Sequence, residues 1–509
     1  MTIPTFTTYT PPDVYVADVT TPIITAPGVA AQVMAIVGPA LGYRTANESF
    51  LLYSATGAQL SFRGVFTTAQ VGPPPIAAPV VTTVTGVVLT QGVDYSFTVT
   101  PDASGNPALS ITAIARVATS PNISDGSQIT IVYNYADITY YRPQVFTDFQ
   151  SVLNAYGPPL VSVSPTTPGA SQVANPLSFA AQIAFTNTAN TIIALALNPS
   201  VGNLQQQLQA AYAQLSTYYQ ATIIVPVFTD DLTPTSGTVS AYAATLAGDL
   251  KAACLLAASN GYPRIGIFGL PRNYSESAEP IVTLASSLKT KRIVLAYPEI
   301  VQVFNGLTGQ VFNASGCYLA VALGATLTSL PVNTGLTRQS LDGFTGLTQA
   351  EIAAMTTSTL NAMAAAGTCI VYADRNGALT CRHGLTTDMS ALNNREVSLV
   401  RQADTLLMQV AAGMENSGLI GEPITPEMPA IVEGALTSIL EQCVNTNIIN
   451  SWSNLTISQE TFPSGDPTII DCAFTYVPAI PLNYVQVTFS IDLTSGLVAT
   501  QSAQNAAAA

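Results

Sequence analysis

Only 9 % of the 509 residues are charged, against about 25 % in a typical soluble domain, while 48 % are hydrophobic and the mean hydropathy is +0.36. The net charge of −14, with three lysines, excludes sequence-independent binding to nucleic-acid phosphates. A chain this long predicts about two to four domains, and one this apolar must hide its surface in a membrane or in an assembly.

The membrane reading needs roughly 18 consecutive apolar residues. The best run, Cys317–Leu330, is shorter and holds Gly324, two threonines and a serine. The opening MTIPTFTTYT has neither a basic start nor an apolar run, so no secretory signal is expected. Assembly without membrane insertion is the expectation. The six cysteines, at 254, 317, 369, 381, 443 and 472, form no CxxC and read as reduced core residues. Cys369 and Cys381 could pair if a hairpin brings them together.

In chain order, residues 1–26 form a Thr- and Pro-rich arm with a short strand, Asp13–Val19 (DVYVADV), behind Pro11-Pro12. Val29–Val37 (VAAQVMAIV) is an unbroken apolar run, the mark of a strand buried on both faces, stopped by Gly38-Pro39. From Gly57 to Asp137 the texture is purely β: Tyr95–Thr100, Leu109–Val117 and Gln128–Tyr135 are separated by the turns DASGN and SDGS. This stretch, residues 57–137, reads as an all-β domain inserted into an α/β domain made of 27–56 and 138–388.

Phe146–Tyr156 reads as a helix closed by Gly157, Ser178–Asn187 as a helix and Thr191–Leu197 as a strand. A regular alternation follows. The strands are Ala221–Phe228, Arg264–Gly269, Arg292–Tyr297 and Thr368–Ala373; the helices are Gly237–Asn260, Ser275–Lys289, Asn313–Leu330 and Gln349–Ala365. Alternation at this spacing makes βαβ units and a parallel sheet covered on both faces. The basic cluster Lys289–Arg292 (KTKR) is expected to cap the end of the second helix.

Residues 389–509 read as a small α+β domain. Glu396–Met414 and Pro429–Asn445 have helical apolar stripes, Val397, Val400, Leu407 and Val410 on the first and Val432, Leu436, Ile439 and Leu440 on the second. About three strands go with them. Ile469–Tyr476 is one, and the last is Tyr484–Leu493 (YVQVTFSIDL), where Val485, Val487, Phe489 and Ile491 alternate with polar residues. A strand near each terminus, each flanked by proline and loose polar sequence, can be lent to a neighbouring copy. Val14, Tyr15, Val16 and Val19, with the four apolar residues at 485–491, are the candidate inter-subunit contacts.

Chemistry has few footholds. His383 is the sole histidine, and no GxSxG accompanies it; it reads as a loop residue hydrogen-bonded locally. Asp230-Asp231 follows a strand, where α/β enzymes place acids, but adjacent residues point apart and read as the opening of a turn or helix. No zinc spacing, GxGxxG or GxxxxGK[ST] is present, so no catalytic residue, metal or cofactor is expected.

The order of the parts resembles the sheath proteins of contractile phage tails and contractile injection systems. The likeness lies in Pro12–Val19, Ala26–Gly38, Pro143–Gly157, Asn175–Leu197, Asn361–Leu385 and Val477–Leu493. The chain departs from the family at Asp13, often Gly there, at Ala366-Gly367-Thr368 and at Asn187–Asn190.

The resemblance implies a subtilisin-like sheath core without a protease's catalytic residues. Strands at both termini would be exchanged with neighbouring copies. Hexameric rings, stacked helically around a tail tube protein, would meet baseplate and tail terminator proteins at their ends. Contraction would drive the tube through a cell envelope without ATP. The subunit would sit in the virion tail after assembly in the host cytoplasm. From Met389 onward two basic residues face eleven acidic ones, a balance of −9. If that domain faces the tube, Glu396, Asp404, Glu415, Glu433 and Glu441 are candidate tube-facing acids. The alternatives are a subtilisin-like hydrolase, the sheath of a bacterial injection device rather than of a phage, and a surface-layer or adhesin protein, for which a signal peptide would be expected.

Overall fold

In the computed structural model the described residues are 32–40, 43–53, 66–67, 80–100, 110–136, 140–161, 171–199, 201–234, 236–274, 278–461 and 465–483. The expected strands Asp13–Val19 and Tyr484–Leu493 lie outside them.

The apolar run after the arm becomes β1 (Val33–Pro39), buried at every residue but Pro39. Then come six strands: β2 (Tyr43–Leu52), β3 (Phe66–Thr67), β4 (Val80–Thr83), β5 (Tyr95–Thr100), β6 (Ser110–Arg116) and β7 (Ser127–Ala136). They form two antiparallel three-stranded sheets, β2-β7-β4 and β3-β6-β5. Leu52, Val81 and Ile129 and Ile131 of the first sheet pack with Tyr95 and Ile114 of the second in a core of their own. β2 corrects the sequence reading. Its ten residues, expected in the α/β part, pair with β7 along their whole length. Its sequence YRTANESFLL is largely polar, unlike the apolar strands of a sheet covered on both faces.

Next follow β8 (Gln144–Phe146), α1 (Phe149–Tyr156), α2 (Pro176–Thr186), β9 (Ile192–Leu197), α3 (Leu204–Leu215), β10 (Ala221–Pro226), α4 (Val239–Ser259), β11 (Ile265–Gly269), α5 (Ala278–Leu288) and β12 (Ile293–Tyr297). A hairpin, β13 (Ile300–Asn305) and β14 (Gln310–Ser315), leads into α6 (Gly316–Ser329). Then come β15 (Ser340–Leu341), α7 (Gln349–Ala354), α8 (Thr357–Ala365), β16 (Thr368–Ala373) and β17 (Leu379–Cys381). The last described elements are α9 (Leu392–Arg395), α10 (Val397–Asn416), α11 (Met428–Asn445), β18 (Ile449–Gln459) and β19 (Ile470–Pro478).

The fold is mixed α/β around a nine-stranded sheet of order β15-β17-β16-β12-β11-β10-β1-β9-β8. Its six central strands, β9 to β16 in that order, run parallel, and β8 and β17 pair antiparallel at its flanks. Strands β9, β11 and β12 are buried at every residue, as parallel strands under helices on both faces must be. The Cys317–Leu330 run is α6, apolar all round because it is buried all round. A Cβ on Gly324 would lie 2.5 Å from Met34 Sδ, so glycine is what lets this helix seat on the sheet. α4 is long and apolar enough to cross a membrane, yet Tyr242, Leu246, Leu250 and Cys254 pack it into the same core.

Local chemistry explains where the expected helices moved. Asn313–Leu330 starts as strand, and Ser315, whose hydroxyl accepts from Cys317 N, caps the helix instead. Gln349–Ala365 is two helices, because Thr348 and Thr356 each cap a start. α3 escaped the sequence reading; its signal is the reciprocal cap between Asn203 and Gln206. At the C-terminal end of α5, where the KTKR cluster was expected, the Lys289 N–H donates to Ala285 O at 3.2 Å. The Lys251 ammonium donates to Leu288 O at 2.5 Å, and Arg292 turns to Asp404.

Candidate assembly surface

The carboxyl ends of β10 and β11, where a ligand would bind in such a sheet, are closed by protein. A Cβ on Gly269 would lie 2.1 Å from Gly316 O, so the end of β11 touches the start of α6. Asp230 is buried there, and its Oδ1 accepts from Ser315 N at 3.0 Å. Burial raises its pKa. Arg272 braces the corner with two bonds to the exposed Asp231, at 2.5 and 3.0 Å, and one to Asn313 O at 3.1 Å. The pair Asp230-Asp231 joins two strand ends to a helix start.

His383 follows β17, with Nε2 2.6 Å from Glu396 Oε1. The two hold the loop that carries the chain from the sheet to α10, where Thr386 N donates to Arg395 O and Val397 N to Gly384 O. Among the described residues no group of three His, Cys, Asp or Glu side chains is placed to hold a metal. The β16–β17 hairpin does bring Cys369 and Cys381 together, with free thiols 3.5 Å apart.

Residues 397–478 make an open surface. α10 and α11 pack on one face of the β18–β19 hairpin through Leu406, Val410, Leu436, Ile439, Leu440, Phe474 and Tyr476. Among the described residues this hairpin pairs with no third strand. Two irregularities in register, with Asn454 at a φ of 58°, bend β18. Val477 near the end of β19, and Ile480 and Leu482 beyond it, are exposed, the last at 81 %. Only β19 was located in advance. β18, INSWSNLTISQ, is exposed at seven of its eleven residues and too polar to stand out.

The candidate acids divide. Glu415, Glu433 and Glu441 are exposed, together with Glu422, Glu427, Asp466 and Asp471. From residue 402 to 509 the chain has no Lys, Arg or His. Glu396 and Asp404 are corrections: both are buried, Glu396 against His383 and Asp404 in an ion pair with Arg292 at 2.5 Å. Each sits on the packed side of α10 or at its start, where a carboxylate needs an internal partner. The eight candidate strand contacts, Val14, Tyr15, Val16, Val19, Val485, Val487, Phe489 and Ile491, lie outside the described residues. Sequence reasoning missed Arg401 and Gln402, both buried on α10. A signal was present: Arg401 is one turn after Val397 on the apolar stripe.

No protein-family model matches the chain. Over 432 residues, 82 % of this chain and 69 % of the relative, it is 26 % identical to a tail sheath protein of Mycobacterium phage Bxz1. Its fold matches the helical sheath of the anti-feeding prophage in the contracted state, with a TM-score of 0.50 and 10 % identity over 95 % of this chain and all of that one. A chain of the six-fold symmetrised anti-feeding prophage baseplate matches with a TM-score of 0.52 and 11 % identity, covering 69 % of this chain and 88 % of that one. In sequence and in fold the chain is similar to tail sheath proteins, the likeness that its ordered motifs carry.

Proposed function

We propose that this chain is a structural subunit of a contractile tail sheath. Copies polymerise as helically stacked rings around a tail tube, and contraction drives the tube through the host cell envelope. The observation that carries this reading is the alignment with a phage tail sheath protein over 82 % of the chain.

Physical features support it. The edges of the β18–β19 hairpin, which pair with no third strand among the described residues, suit strand addition from neighbouring copies by residues 13–19 and 484–493, the two terminal strands expected from sequence. The low charge and apolar surface suit a lattice with many contacts. In this reading the nine-stranded sheet and its helices are a subtilisin-like sheath domain, the β-rich insert faces outward, and residues 389–509 face the tube. The rings are hexameric, and baseplate and terminator proteins meet the two ends of the sheath. The subunit is not an enzyme and works in the virion tail after assembly in the host cytoplasm.

The test mixes the full-length chain with its tube protein and sediments the product. Tubes wrapped in a regular sheath are expected. Bare tubes in the pellet with the chain left in the supernatant would overturn the reading.

A further inference from the structure

Two consecutive residues of α10 grip the two segments that leave the described body. Arg401 is 2 % exposed, and its Nε donates to Gln32 Oε1 at 2.8 Å. Gln32 joins residues 1–31 to β1. One turn along the helix, Thr405 Oγ1 accepts from Gln32 Nε2 at 3.3 Å. Gln402 is fully buried and holds Ala479 with a reciprocal pair of bonds. Its Nε2 donates to Ala479 O, and its Oε1 accepts from Ala479 N, both at 2.9 Å. Ala479 follows β19 and stands five residues before Tyr484.

Arg401 is an odd choice for filling a core. Its remaining bonds, from Nη2 to Leu327 O at 2.6 Å and Leu330 O at 3.1 Å, go to carbonyls at the end of α6. Among the described residues its Nη1 has no hydrogen-bond partner, and burial brings its pKa down to about 9. An apolar side chain of similar volume serves stability as well as or better than a lone buried cation. What the guanidinium and the Gln402 amide supply is direction: each fixes one segment root against the same turn of one helix.

We propose that Arg401 and Gln402 are positioning residues that tie the roots of both terminal segments to one rigid turn of α10, so that both inter-subunit strands leave the subunit in fixed relative directions. The inference rests on the sheath reading above. A strand whose root is loose must be ordered when it docks, and that entropy weakens every lattice contact it makes.

The test uses the full-length chain with Gln32→Met, Gln402→Met and Gln32→Glu, since Gln32 is only half-buried and its replacement leaves Arg401 in place. Thermal unfolding is followed beside sedimentation of sheathed tubes. Both Met variants are expected to unfold within about 4 °C of the wild type. Their yield of sheathed tubes should fall about tenfold, the scale set by losing two ordering hydrogen bonds. Gln32→Glu, whose carboxylate can accept from both Arg401 and Thr405, should restore wild-type yield. Met variants that polymerise like the wild type would overturn the inference. So would a loss of tubes that simply tracks loss of folded protein. A wild-type chain that stays monomeric beside its tube would instead overturn the sheath reading itself.

Discussion

Asp404 shows how one residue's role turns on its surroundings. Its sequence position, among acids in a domain of charge −9, suggested a surface that meets a basic partner. It is buried instead, bonded to Arg292 at the start of β12, and so fastens α10 to the sheet. Removing one member of a buried pair strands the other charge. Asp404→Ala should therefore cost about 3–5 kcal/mol, measured by urea unfolding, whereas Glu433→Ala on the exposed face should change stability by less than about 0.5 kcal/mol. Equal effects would contradict the burial difference between the two sites. Asp94, inside the insert, makes a second case. Its carboxylate accepts from Thr90 N at 2.9 Å, Ser120 Oγ at 2.7 Å and Asn122 Nδ2 at 3.0 Å. The Thr90 N–H is the largest cause of its lowered pKa. Its folded value lies below the unfolded one, so its stabilising effect is present above the ordinary carboxylate range and is lost as pH falls through the folded value. The insert of Asp94→Asn should therefore lose less stability than that of the wild type on acidification, followed by limited proteolysis within residues 80–136.

At the scale of elements, the buried parallel strands were legible because a sheet covered on both faces leaves unbroken apolar runs. Val33–Val37, Ile192–Leu197 and Ile293–Tyr297 each carry that mark. The α10 and α11 stripes were legible for the same reason, one apolar face per helix. The polar elements were not. β2 and β18 owe their strand form to cross-strand partners far along the chain, β7 and β19, and nothing local in their sequences states that pairing. The candidate assembly surface was legible only as a charge balance. Which acids face out depends on helix phase against the sheet, which placed Glu396 and Asp404 inside. The terminal strands expected from sequence give a prediction at this scale. Deleting residues 1–20 should leave a folded, soluble monomer, because the parallel sheet begins at β1, and should abolish sheath formation, scored by sedimentation. A truncated chain that polymerises like the full-length one would make the arm dispensable.

At the scale of the molecule, a chain that is 9 % charged carries its net charge unevenly. The last 108 residues have no basic side chain, and α11 presents Glu433 and Glu441 outward. If this surface faces the tube, sheath–tube association should weaken with salt, because exposed charges more than about 10 Å apart are screened at 0.1 M. Glu433→Lys with Glu441→Lys should reduce the sheathed fraction at low salt several-fold, in line with about 0.2–1 kcal/mol per exposed pair. A tube with a strongly acidic outer wall would contradict this orientation. The central claim, that the chain builds a sheath, is tested most directly by negative-stain electron microscopy of the full-length protein, alone and with its tube. Long hollow cylinders with a regular axial repeat are the predicted result, and dispersed single particles under both conditions would contradict it.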